Sequence, residues 1–286
     1  MEEYYFLFLI AFIYAVFASI QDLRKREVAN WLNFSLIAFA FAYRLFYSIY
    51  SNNYKFVLFG ALGFAIFFLL ANVFYYSKIF AGGDAKLLMA FGAILPFQSY
   101  WDLLFLSIMF IFVLFLVGTV YSLIFSISLA VKNKEKFKKE FITQLKDKKY
   151  MLLLAIPGIL FIILKLVPSL AYLKSWWFFA SLFIIMPILY IYLEAVNKSC
   201  MIRFVNAKEL TEGDWLERDV KIGNKTIRKS VHGLSAGEIA ILRRAKKKVL
   251  VKYGVPFIPA FLLALIVMVF FFLTVRDFQS FFSSLF

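Results

Sequence analysis

One cysteine, Cys200, and one histidine, His232, are all the chain has of two residue types that commonly bind metals or attack substrates. A lone cysteine excludes an intrachain disulfide and any cysteine-based zinc site. A lone histidine excludes a multi-histidine metal site and argues against histidine-based catalysis. Ligand-type residues do not cluster along the chain, so no metal and no other cofactor is expected. Acidic residues are scarce as well, 17 against 32 Lys and Arg. Polar sequence is confined: 199–253 is the only sizeable polar stretch.

What fills the chain instead is apolar. Hydrophobic residues make up 63% of the 286, phenylalanine alone contributes 38, and the mean hydropathy is +0.82. A soluble domain averages about 45–50% apolar residues. Apolar runs long enough to cross a bilayer recur along most of the chain, which predicts a polytopic, all-α membrane protein. The first run does not read as a removable signal peptide. Met1-Glu2-Glu3 is acidic where such a peptide is basic, and no small-residue cleavage site follows.

The hydropathy pattern predicts about eight membrane segments, at 4–21, 31–50, 56–76, 84–100, 103–131, 151–170, 176–196 and 255–275. The fourth is the weakest, because its apolar stretch is short and ends at Pro96. Basic residues orient the segments. With the N-terminus outside, four cytoplasmic loops hold 27 of the 32 Lys and Arg: Arg24–Arg26, Lys78 with Lys86, eight lysines in 132–149 and fourteen basic residues in 197–252. The outer loops hold only Lys55, Lys174 and Arg276, and Arg44 and Lys165 fall within segments. This asymmetry follows the positive-inside rule. It also accounts for the net charge of +15 without nucleic-acid binding, so no nucleic-acid partner is expected.

Five regions are expected: a membrane core at 1–131, a basic cytoplasmic loop at 132–150, two further membrane helices within 151–197, a small α+β cytoplasmic domain at 198–253, and a final helix and tail at 254–286. In the basic loop, Phe137, Phe141 and Leu145 recur at helical spacing, which suits an amphipathic anchor helix on anionic membrane lipid. In the small domain, 220–227 alternates around Gly223-Asn224 like a β-hairpin. Ser235-Ala236-Gly237-Glu238 is a capping box that should open a helix running to about Val249.

Two acids stand apart. Asp22 directly follows the apolar run 4–20, at a helix C-terminus where the macrodipole disfavours a carboxylate. Taken alone it also fits an ion-pair partner for Arg24, Lys25 or Arg26. Asp84 follows Gly82-Gly83, and taken alone it also fits an N-cap opening the fourth segment. Topology joins them. Asp22 ends an outside-to-inside crossing and Asp84 begins the reverse, so both reach the same cytoplasmic depth although 62 residues apart. Two carboxyls at one depth can share a proton and activate water, which is aspartic-protease chemistry. Helix ends alone would favour negative charge at Asp84 over Asp22.

The surrounding residues closely resemble a known family. Asp22-Leu23-Arg24-Lys25-Arg26-Glu27-Val28-Ala29-Asn30-Trp31 resembles the segment after the first helix of archaeal preflagellin/prepilin peptidases, and Gly82-Gly83-Asp84-Ala85-Lys86 resembles their GxGD-x-K motif. Three stretches of the tail are similar to the family's C-terminal region: Glu212-Gly213-Asp214-Trp215-Leu216, Gly233-Leu234-Ser235-Ala236-Gly237-Glu238-Ile239 and Gly254-Val255-Pro256-Phe257-Ile258-Pro259-Ala260. Two departures stand out. Ala81 occupies the first glycine of GxGD, and Ala29 the place of a proline often found before the asparagine.

The resemblance implies a membrane aspartic endopeptidase that removes signal sequences from archaellin or type IV pilin-like precursors. Asp22 and Asp84 would be its catalytic pair, with Gly82, Gly83, Lys86 and Asn30 as supporting motif residues. Such leaders end in a basic stretch at the cytoplasmic face, where this pair is expected. Glu27 is the nearest acid that could attract a basic leader, and Asp214, Glu217 and Asp219 are more distant candidates. Methylation, which the resemblance ties to a cysteine-rich region in bacterial relatives, is not expected with only Cys200. Two other classes fit the composition. One is a transporter or channel using Arg44 and Lys165 as intramembrane charges, although each lies near enough to a segment end to snorkel. The other is a non-catalytic assembly subunit of a secretion apparatus.

Overall fold

The computed structural model describes residues 2–164, 177–223, 225–230 and 233–274. Met1, Lys165, Lys174, Asn224, His232 and Arg276 lie outside them. Among the described residues, five helices are long and apolar enough to cross a membrane. They are α1 (Tyr5–Lys25), α2 (Asn30–Tyr50), α3 (Lys55–Tyr76), α5 (Tyr100–Lys132) and α8 (Trp177–Cys200). The chain is thus mostly helical and multi-pass. The other three expected segments overlap shorter helices: α4 (Gly82–Ile94), α7 (Ile156–Leu164) after a 3₁₀ turn over Lys149–Ala155, with the remainder of 151–170 outside the described residues, and α10 (Ile258–Thr274). The chain divides into two compact units, Met1–Leu123 with Pro256–Phe286, and Ile124–Val255.

The first unit is built around α4. This helix has 13 residues, so it rises only about 20 Å, short of the ~30 Å of hydrocarbon. It is nevertheless buried on nearly every side, from Asp84 through Ile94. Small residues permit this. A Cβ on Gly63 of α3 would lie 2.4 Å from the Gly92 carbonyl oxygen, and one on Gly92 would lie 2.6 Å from that of Gly63. The two backbones therefore touch, and Phe67, Phe91, Phe110 and Phe261 pack around the contact.

A helix that stops inside the protein leaves its last carbonyls without intrahelical donors. Arg44 of α2 supplies them. Its guanidinium donates to the carbonyl oxygens of Ala93 (2.7 Å), Leu95 (2.8 Å) and Ile94 (3.4 Å), and to that of Phe56 (2.7 Å). It lies 4.6 Å from the Phe56 ring centroid and 5.5 Å from that of Tyr4, whose hydroxyl donates to the Phe97 carbonyl oxygen at 3.0 Å. Arg44 does not snorkel. It is wholly buried, in a space that exists because residue 60 is glycine; a Cβ there would sit 2.3 Å from Arg44 Cδ.

In the second unit, α6 (Lys134–Asp147) is helical as its apolar spacing predicts. Its aromatic side meets protein: Phe137 packs edge-on against Tyr192 of α8, at a 5.6 Å ring separation. After α8 comes an α+β fold with its own core, including Val205, Leu210, Leu216, Ile239, Leu242, Val249 and Val251. Strands β1 (Ile202–Asn206), β5 (Lys248–Lys252) and β2 (Trp215–Leu216) form an antiparallel sheet with β5 central. β3 (Val220–Ile222) and β4 (Lys225–Ile227) form the expected hairpin. Ser235 and Glu238 close the capping box that opens α9 (Ala236–Arg244), but the helix ends before the expected Val249. The reason is the alternation in KVLVK, whose valines enter the core as strand β5.

Candidate active site

Asp22 lies in the last turn of α1. Arg26 ends the helix by adopting a left-handed conformation (φ 59°), its N–H donating 2.8 Å to the Asp22 carbonyl oxygen. The Gln21 side-chain oxygen accepts the Ala29 N–H at 3.0 Å, folding 26–29 back toward α1. The Asp22 side chain is buried, and its Oδ2 accepts the N–H of Ile258 at 3.0 Å. Ile258 is the first residue of α10, so its N–H is one of those no helix can satisfy internally. Asp22 therefore serves the N-terminus of α10 as well as ending α1. The dipole argument that sets Asp22 against Asp84 is corrected accordingly, since a favourable helix end faces each acid.

Asp84 is the third residue of α4, not its N-cap, which is Ala81. Its Oδ2 folds back to accept the Ala81 N–H at 3.1 Å. Asp84 is buried and lies within electrostatic reach of Asp22. The supporting residues meet too: Lys86 Nζ donates to Asn30 Oδ1 at 2.6 Å, tying the start of α4 to the start of α2. Lys86 also lies 5.9 Å from the Phe34 ring centroid. Glu27 is exposed on the loop beside Asp22. The more distant acids serve local structure instead. Asp214 Oδ2 accepts the Thr211 N–H, Asp219 Oδ1 accepts the Lys229 N–H, and Glu217 pairs with the Lys229 ammonium at 3.8 Å.

Gly82 and Gly83 are the first two residues of α4, and neither has a positive φ. A Cβ on Gly83 would make ordinary contact with Val28, at 3.6 Å. The glycines are therefore needed for no left-handed turn, and a Cβ at either position would meet only ordinary contacts. Gly83→Ala is expected to stabilise the protein by up to about 1 kcal/mol, the usual gain when alanine replaces a helical glycine. Gly83→Val adds branching against Val28 and should lose more activity than stability. Thermal unfolding and cleavage assays on both variants check this. Full activity in the valine variant would leave the glycines as packing residues only.

Sequence reading missed several contributors. Tyr121 of α5 lies within electrostatic reach of both Asp22 and Arg26, yet it sits inside a continuous apolar run that marks it only as a membrane residue. Asn33 lies one turn along α2 from Asn30, and its side-chain amide is fully buried with no hydrogen-bond partner among the described residues. Its polarity beside the buried apolar residues Leu32 and Leu36 was the available signal.

Residues 7–123 match the type IV leader peptidase family. Over 89 residues the chain is 32% identical to the preflagellin peptidases of Methanocaldococcus jannaschii and Methanococcus maripaludis. It is 28% identical over 83 residues to that of Methanococcus voltae. The similarity covers 31% of this chain and 38% of each of the first two relatives, so the chain spans well under half the length of the curated relatives it matches. No solved structure matches the chain.

Proposed function

We propose that the protein is a membrane aspartic endopeptidase that cleaves leaders from archaellin or type IV pilin-like precursors, a reading supported by the match of residues 7–123 to the type IV leader peptidase family. The observation that carries the reading is the pair Asp22 and Asp84: buried, within electrostatic reach of each other, and each anchored by one backbone N–H. One carboxyl, ionised, takes a proton from water as it attacks the scissile carbonyl carbon. The other, protonated, donates to the carbonyl oxygen, and proton return to the leaving amine completes hydrolysis. The N–H donors fix the two carboxyls while leaving other oxygen lone pairs for water and substrate. The Lys86–Asn30 hydrogen bond ties the start of α4, which carries Asp84, to the start of α2. Glu27, exposed beside Asp22, offers a negative charge to the basic end of a leader. A transporter reading is weakened by Arg44, whose guanidinium is engaged by four carbonyls instead of lining a path.

Purified protein in lipid vesicles, incubated with a preflagellin-like precursor, is expected to release the leader at the junction between its basic stretch and its hydrophobic helix. Mass spectrometry reads the cut, and a chelator should leave the rate unchanged. Uncut precursor under conditions where the protein stays folded would defeat the proposal, and chelator inhibition reversed by zinc would indicate a metalloprotease.

In this reading the pair lies at the cytoplasmic face with the N-terminus outside, which the distribution of basic residues supports. A cysteine replacing Ser51 should then react with an impermeant thiol reagent in intact cells, whereas cysteines replacing Lys139 or Lys225 should react only after permeabilisation. The opposite labelling pattern would put the pair on the wrong side for a cytoplasmic precursor.

A further inference from the structure

The sheet of the small domain has two unlike faces. Val205, Leu216, Val249 and Val251 turn one face into the domain core. Directly opposed residues in antiparallel strands share a face. The pairs Ile202–Lys252, Phe204–Leu250, Asn206–Lys248 and Trp215–Lys252 therefore place Ile202, Phe204, Leu250 and Trp215 together on the other face, with Lys248 and Lys252 among them. Among the described residues that face is left open, with Phe204 66% exposed and Trp215 43% exposed. Apolar side chains gathered on one sheet face and rimmed by lysines mark an interaction surface.

We propose that this face docks on the headgroup region of an anionic lipid bilayer. Three observations select that occupant. Strand β1 begins two residues after α8, a membrane-length helix, and five residues separate β5 from α10, so both long strands are tied closely to apolar helices. At about 3.3 Å per extended residue, the start of β1 stays within roughly 10 Å of the end of α8. Tryptophan and phenylalanine flanked by lysine is the composition that binds membrane interfaces, the aromatic rings entering the headgroup layer while ammonium groups meet lipid phosphates. Charge excludes the competing partners. A basic leader and a second copy of the same lysine-bearing face would both be repelled, whereas anionic lipid is attracted. Docking in this way would hold the domain flat against the bilayer.

The proposal is independent of the protease reading and is tested without an activity assay. In the full-length protein, with Cys200→Ala, a bimane fluorophore is attached at Phe204→Cys and, as a control, at Lys225→Cys. Each protein is placed in nanodiscs of phosphatidylglycerol or of phosphatidylcholine containing doxyl-quencher lipid. The label at position 204 should be quenched at least twofold more than that at 225 in phosphatidylglycerol, and the difference should shrink in phosphatidylcholine or with Lys248→Glu/Lys252→Glu. Equal quenching at both positions overturns the proposal. So does a label at 204 that neither the lipid quencher nor aqueous iodide reaches, since protein would then cover the face. Retained quenching in the double-glutamate variant would overturn the electrostatic part. Circular dichroism of each variant verifies that the fold is kept.

Discussion

Asp22→Asn and Asp84→Asn should each lower the rate of precursor cleavage by about 10²–10⁴-fold, the usual contribution of a positioned acid or base. Asparagine keeps the size of the side chain and an oxygen that can still accept the N–H of Ile258 or of Ala81. The fold should therefore survive and the loss should appear in the rate alone. What asparagine cannot do is take a proton from water or pass one to a carbonyl oxygen. The proposed mechanism uses the two carboxyls as a unit, so the double variant should be little worse than either single one. Leader release followed by mass spectrometry, alongside thermal unfolding, decides the matter. Either single variant cleaving at near the parent rate would end the dyad mechanism, and multiplicative losses in the double variant would mean that the two acids act separately.

Arg44→Met should be the most damaging substitution for stability. The change removes every donor that Arg44 offers to the end of α4 while keeping a long apolar side chain in its place. Each buried carbonyl left without a donor costs about 1–3 kcal/mol. Two of the bonds to the end of α4 are 2.8 Å or shorter, at Ala93 and Leu95. A loss of more than about 3 kcal/mol is therefore expected, since those costs accumulate at one site. Arg44→Lys should recover only part of it, because a compact ammonium cannot span acceptors arranged for a planar fork. Denaturant titration in micelles measures the loss, and hydrogen exchange should show the last turn of α4 opening first. An unchanged unfolding midpoint for Arg44→Met would mean that the carbonyls find other donors and that the cap is dispensable.

How much of this protein could be read from its sequence depends on the range of the interaction involved. The long apolar helices were legible because hydropathy over some twenty residues is a local sum, and α1, α2, α3, α5 and α8 fall where that sum is high. The hairpin and the capping box were legible for the same reason, each being set by neighbours a few residues apart. The two aspartates could be singled out as acids at the ends of apolar runs beside recognisable motifs. Misplaced boundaries arose where two local signals compete. In 236–252 a helix start is followed by a strand pattern, and only the buried positions of Val249 and Val251 decide where one yields to the other.

By itself the sequence determined the membrane class, the five long helices and the choice of Asp22 and Asp84 as the acids of interest. Only the tertiary structure decided what surrounds them. Ile258 reaches Asp22 across 236 residues, Lys86 reaches Asn30 across 56, and Arg44 reaches the end of α4 across about 50. Each partner lies far away in the sequence, so no local pattern says which groups will meet. The helix-end argument failed at Asp22 for this reason: it counted the helix that carries the acid and could not see the one that begins beside it. Polar groups shut in an apolar interior must find partners wherever the fold brings them, and that matching is a property of packing, not of sequence order.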